Sequence, residues 1–345
     1  MMIPILGIAT LITARDFFIT PDGETVYYKT PPRVFVWRPE ESQKNYYSDF
    51  IYNGEKPEQV RDPVSLFVFN QSRLLVSDSG SGEIKFFDRH GTLFRRFGKD
   101  SRVLKSPVEA ARSPFGDIFV SDSVSRSVLV YDSRGNFQSR LSFPDEKDTG
   151  FEYPAAMAFA PDGSLFVLDS AANSVFHFSY DLKFIKRWGR YGNRPGEFKE
   201  PRGIVINRMG EIFIADTQNH RIQVFAMNGD LKRIIGKQVK GESEIQLLEL
   251  PQSVALNREG QIAVADKGGS RIQFFSPYGE WLAGFRFRNL GEKGEIEAEA
   301  SDIDFDDAGS LYVADKKNRR IIRFTSIDLF TLLGQVVNPE DKSEK

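Results

Sequence analysis

Short apolar runs broken by turn residues fill this chain, and the same order of runs returns at nearly constant spacing. The clearest copy occupies residues 189–236. Within it, 203–207, 211–215, 221–225 and 231–235 each read as a short strand rich in β-branched and aromatic residues. The intervening segments 208–210, 217–220 and 227–230 are short and carry Gly, Asn or Asp, as antiparallel turns require. One copy is therefore a four-stranded antiparallel meander.

An Asp closes the second apolar run of each copy and fixes the register. Asp78, Asp122, Asp169, Asp216, Asp266 and Asp315 follow one another at steps of 44, 47, 47, 50 and 49 residues. A degenerate copy precedes them: FFITPDGETVYYKTPPRVFVW matches AMAFAPDGSLFVLDSAANSVFHF, with Lys29 in the Asp slot. Strands such as Ile212-Phe213-Ile214-Ala215 and Val128-Leu129-Val130-Tyr131 are apolar on both faces, so each sheet must be covered on both sides. Four-stranded repeats of this length predict an all-β propeller, with blades stacked face to face around a channel. Seven units predict seven blades; six blades plus an extra N-terminal segment is the alternative. No segment holds a helical period.

The phrases GEFKEPRGI and EIFIADTQNHRIQVF, followed by a Gly-containing turn and RIIG, resemble the NHL repeat almost position for position. The resemblance extends over nearly the whole chain and is strongest in the last three units. NHL propellers are most often six-bladed. The resemblance adds two expectations to that of a non-catalytic interaction scaffold, which rests on the loops. Some NHL-like propellers resemble metal-dependent lyases or lactonases with His or acidic ligands at the channel mouth, and some NHL domains bind RNA on a basic face.

Of the 345 residues, 40% are hydrophobic, enough for one closed array without a second domain. Residues 15–336 are expected to form the propeller and 337–345 a polar tail. The first fourteen residues, MMIPILGIATLITA, are apolar, of signal-peptide core length, and end on a small residue. They are expected to be a leader or anchor, or else an extra strand packed on the propeller rim; the first reading favours an extracytoplasmic over a cytoplasmic location and confines any membrane association to this segment. With 46 basic and 48 acidic residues the net charge is -2, which argues against a polyanion partner. The absence of Cys excludes disulfides, thiolate metal sites and cysteine nucleophiles. The three His residues have neither HxH nor HExxH spacing, so no metal ligand set and no cofactor is expected.

Charged positions divide into those that follow the repeat and those that break it. Asp78, Asp122, Asp169, Asp216, Asp266 and Asp315 follow it, as does Arg320 beside Asp315; a carboxylate ending a strand can accept turn N–H groups and pair with an Arg five residues on. Innermost strands are apolar or small, yet Glu109, Arg112, Asp302 and Asp304 interrupt them. These four would line the channel, as an ion pair in water or as ligands for a hard cation. Loops between second and third strands carry Arg126, Arg221, Arg271, Lys316, Lys317 and Arg319 on one face. Connections of unequal length, 144–153, 237–250 and 288–300, share that face and bring acidic residues to it. No catalytic residue stands out, and another protein or protein assembly is the expected partner, docked by shape and mixed charge.

Overall fold

A computed structural model describes residues 60–70, 72–98, 102–143, 150–236, 248–286 and 299–325, together with strand backbone at 17–19, 26–28, 48–51, 288–291 and 294–297. The leader, Lys29 and the polar tail lie outside the described residues, as do 144–149 and 237–247 of the uneven connections.

Six four-stranded antiparallel sheets form a ring. Blade four shows the plan: Gly203–Ile206 innermost, then Ile212–Asp216, Arg221–Phe225 and Leu231–Ile235 outermost. The second strands are buried along their whole length except at Arg73, which opens that of blade one. Outer strands such as Leu93–Phe97 and Phe184–Trp188 alternate between half-buried and exposed positions, because they form the rim. Pro63, Pro107, Pro154 and Pro251 open inner strands, where the first residue of an edge strand tolerates a missing N–H.

Six apolar clusters hold the ring, each built from two neighbouring blades. Phe213, Ile222 and Val224 of blade four meet Val254, Ile262 and Phe275 of blade five in one of them. Another joins Leu66, Val76 and Phe87 of blade one to Tyr312, Ala314 and Ile321 of blade six, which closes the circle. Burying both faces of every sheet in this way is the main stabilising contribution.

The count corrects the expectation of seven blades; the six-bladed alternative is the one observed. Among the described residues, Phe17–Ile19 and Val26–Tyr28 of the degenerate first unit pair with each other alone, as a two-stranded sheet. Blade six takes Ala300–Phe305, Leu311–Asp315 and Arg320–Phe324 from one end of the chain and Ser48–Ile51 from the other, with Ile321 opposite Ile51. Two apolar runs around a turn look the same in a lone hairpin as in half a blade. Which strand completes which sheet is decided by closure, which is non-local.

The loop joining second to third strand has one conformation around the ring. The residue four after each motif Asp has positive φ: Gly82 at 66°, Arg126 at 50°, Asn173 at 51°, His220 at 56°, Ser270 at 45° and Arg319 at 55°. A side chain at Gly82 would meet nothing nearer than the Lys105 carbonyl at 3.9 Å. Gly82→Ala should therefore cost about 1 kcal/mol for purely conformational reasons. Gly82→Asn should cost less, and equal losses by chemical denaturation would contradict that origin. These loops and the blade connections make one face of the ring, the connection face; the turns after the first and third strands make the opposite, turn face.

Candidate functional site

The motif Asp carboxylates are fully buried and reach back to the strand entrance of their own blade. Asp78 accepts from the Arg61 and Asp62 N–H groups at 3.0 and 2.8 Å, Asp169 from Glu152 and Tyr153 at 2.7 and 3.0 Å, and Asp266 from Glu249 and Leu250 at 2.9 and 2.8 Å. Asp122, Asp216 and Asp315 receive equivalent bonds from Ser106, Lys199 and Glu299. The donors stand 16 or 17 residues before the acceptor in every blade, so each carboxylate fastens a blade connection to the hairpin loop. Turn N–H groups add to this at Ser125, Ala172 and Asn318.

Cations complete the motif unevenly. Arg221, Arg271 and Arg320 donate Nε to Asp216, Asp266 and Asp315 at 2.7, 2.9 and 2.9 Å. In blade one Glu83 stands in the Arg slot, and Lys85, two residues on and on the same side of the strand, reaches Asp78 at 2.6 Å. Burial pushes the Asp78 carboxyl up, but Lys85 and the two N–H donors outweigh it and hold it below its ordinary value. Sequence reasoning missed Lys85; the signal was a Glu–x–Lys that reverses the charge of the slot. Burial dominates at Asp216 and pushes its carboxyl up.

Of the six basic residues expected on the connection face, Arg221 and Arg271 are turned inward, only 2% and 7% exposed. Arg221 also donates to the carbonyls of Asn193, Arg194 and Glu197, at 3.0, 2.8 and 2.9 Å, and Arg271 also meets Glu249 at 3.5 Å. Arg126, Lys317 and Arg319 are exposed, and half-exposed Lys316 lies 3.4 Å from Asp62. Lys267 joins them through Glu299 at 2.7 Å, so basic and acidic groups alternate across this face.

The channel opens here as a cavity of about 490 Å³ lined by Glu109, Arg112, Asp302 and Asp304 among others. No ion pair forms between Glu109 and Arg112. Instead the carboxylates cross from blade to blade. Asp302 accepts from Leu66 N of blade one at 2.8 Å and from Ser253 Oγ of blade five at 2.6 Å; Asp304 accepts from Val68 N at 2.8 Å; Glu109 accepts from Met157 N of blade three at 3.1 Å. Each inner strand is a sheet edge with unpaired N–H groups, and these side chains satisfy some of them. Burial pushes Asp302 up to about 6 and Asp304 up to about 7, the latter helped by the charges of Asp302 and Asp306. Glu109 is held well above the usual carboxylate range by burial, then by Asp302. Among the described residues no three His, Asp or Glu side chains are grouped to hold a metal ion.

The His residues sit apart. His177 stacks 4.0 Å over Phe166, where burial lowers its pKa; His220 contacts the Glu249 carbonyl; and His90 accepts from Arg89 at 3.0 Å. No helix among the described residues is long and apolar enough to cross a membrane.

Residues 198–225 match the NHL repeat family. A 108-residue stretch is 37% identical to the E3 ubiquitin-protein ligase TRIM32 of Mus musculus, covering 26% of this chain and 16% of that protein. Among solved structures, a streptogramin B lyase superimposes with a TM-score of 0.54 at 15% identity, over 75% of this chain and 77% of its own. A catalytically inactive virginiamycin B lyase from Staphylococcus aureus with quinupristin gives 0.56 at 13% identity, over 79% and 83%. The hydrazine synthase of Kuenenia stuttgartiensis gives 0.54 at 11%, over 77% and 96%. At these identities the superpositions speak to fold alone. The chain is thus a six-bladed all-β propeller in which residues 198–225 are similar to the NHL repeat.

Proposed function

We propose that the protein is a non-catalytic interaction scaffold whose connection face docks another protein. The observation that carries this reading is the shared loop geometry: a buried Asp in every blade holds the same loop in the same conformation, and the tip residue differs from blade to blade. A rigid frame with variable tips costs little entropy on binding. Arg126, Lys317 and Arg319 are the charged groups it would present, with neighbouring acids disfavouring a purely anionic partner. The matched stretch of a ubiquitin-protein ligase, an enzyme that works on other proteins, supports a protein partner.

Capture on immobilised full-length chain, read by mass spectrometry, should return one protein or assembly in stoichiometric amount. Arg319→Ala together with Lys317→Ala should then weaken its capture about tenfold, as loss of a few interfacial charge contacts does, while the melting temperature stays within about 1 °C. Unchanged capture would refute this surface.

The channel carboxyl groups support a second reading, a metal-dependent lyase-like or lactonase-like enzyme using Glu109, Asp302 or Asp304. Metal analysis of the purified protein separates the two: one tightly held ion per chain, lost on mutating these residues, would favour the enzyme.

A further inference from the structure

The opposite mouth of the channel is chemically unlike the connection face. It is a cavity of about 550 Å³, within the size range of small-molecule sites. Its wall is built where inner strands end, and there the sequence repeatedly supplies Phe: Phe67 and Phe69 in blade one, Phe159 in blade three and Phe305 in blade six. Phe67 and Phe69 lie parallel with ring centres 6.4 Å apart. Both mouths share Phe67, Arg112, Phe159 and Ile206, so these four form the waist between the two halves of the channel.

Arg112 is the charged group at that waist. Its guanidinium lies 5.5 Å over the Phe69 ring, and no carboxylate of the described residues pairs with it. The acids of the same mouth are engaged elsewhere. Asp306 accepts from Ser72 Oγ at 2.8 Å and from the Ala308 and Ser310 N–H groups, and Asp307 pairs with Arg258 at 3.1 Å. Two further arginines flank Arg112 over the aromatic face of blade one: Arg95 sits 4.2 Å above Phe86 and Arg73 5.7 Å from Phe94. Burial, and then the charge of Arg112, pull the Arg95 pKa below its ordinary value, with Asp132 opposing.

A half-buried cation facing a cavity walled by phenyl rings selects one ligand chemistry. The rings accept a flat apolar body by stacking, and the guanidinium, preorganised over Phe69, offers a planar fork to an oxyanion. We propose that the turn-face cavity is a binding site for a small aromatic carboxylate, with the carboxylate on Arg112 and the ring against Phe67, Phe69, Phe159 and Phe305. Beyond the waist, the carboxyl groups of Asp304 and Asp302 are spoken for by backbone N–H donors, so repulsion of the anion is muted. The site lies across the ring from the face assigned to a protein partner and needs none of its residues.

Calorimetric titration of the full chain with 2-naphthoate, and with neutral 2-naphthol as its counterpart, tests the assignment. The expected result is saturable one-to-one binding of 2-naphthoate with a Kd below about 1 mM. 2-Naphthol should bind at least about tenfold more weakly, for want of the charge-assisted bond. Arg112→Gln should remove the preference and raise the Kd for 2-naphthoate about tenfold or more, while Arg112→Lys should restore part of it. No saturable binding of 2-naphthoate to the wild-type chain, or equal affinity for the two probes, would overturn the proposal. So would unaltered affinity in a folded Arg112→Gln protein. If that variant does not fold, the comparison of the two probes on the wild-type chain decides alone.

Discussion

Arg221→Ala is expected to destabilise the protein by about 3–5 kcal/mol, the range for removing one partner of a buried ion pair. Arg221 does more than pair with Asp216. Its other nitrogens hold the carbonyls of Asn193, Arg194 and Glu197, while Gln223 adds bonds to Glu197 and Asp216, so the 190–198 connection is latched to blade four through these two side chains. Removing the guanidinium takes one donor from each of three carbonyls, of which Arg194 keeps the Glu197 N–H and Glu197 keeps Gln223, and leaves the Asp216 carboxylate to Lys199, Asn219 and Gln223. For a domain of this size the melting temperature should fall by about 10 °C. Arg221→Lys should recover little, since an ammonium cannot span the same set of acceptors. Arg319→Ala, on an exposed loop tip, should shift melting by less than about 1 °C. Equal losses at positions 221 and 319 would refute the latch.

The second large effect concerns pH. Asp304, pushed up to about 7, and Asp302, pushed up to about 6, bind protons in the folded protein at pH values where the unfolded chain has released them. Their contribution to stability is therefore fully present in the acid range, is lost as pH rises through their folded values, and is gone above about pH 8. From pH 5 to pH 8, Asp304 alone should cost about 2–3 kcal/mol, at 1.4 kcal/mol for each unit of pH below its folded value. Asp78 and Asp122 have the opposite sign and, held below the ordinary range, lose their contribution only at more acid pH; within the window Glu109, raised like Asp304, adds to the slope, and His177, lowered by burial, opposes it. Asp304→Asn keeps an acceptor for Val68 N, gives up the one that Oδ1 offers to Phe305 N, and removes the titration, so the slope between pH 5 and pH 8 should flatten. Denaturation curves at the two pH values check this; an unchanged slope would exclude Asp304 as its source.

How far the sequence discloses this molecule depends on the range of the interaction concerned. The blade plan is legible because it is local: the motif Asp bonds within its own repeat, and the strands 221–225 and 231–235 read from turn chemistry are the strands observed. Blade number is not local, and the hairpin of 17–19 with 26–28 imitates a unit until closure is known. Arg221 and Arg271 read as surface cations because Arg usually is one. Each nevertheless stands directly across the strand pair from a buried Asp, a register that the five-residue spacing already implied. Glu109, Asp302 and Asp304 stand out as breaks in the repeat, but their bonds run to the next blade, which no single repeat reveals. The Phe residues of the turn-face mouth were masked by abundance, being a few among 30.

Blade six, assembled from both ends of the chain, also sets an order of events. During synthesis Ser48–Ile51 is made well before its partner Arg320–Phe324. The earlier strand must wait through the production of five blades, and the ring can shut only once residues 320–324 have been made. Closure then carries the longest loop-entropy cost in the molecule and is expected to be the slow step of folding. A strand held open for that long is also the point at which two nascent chains could exchange ends and close each other's rings.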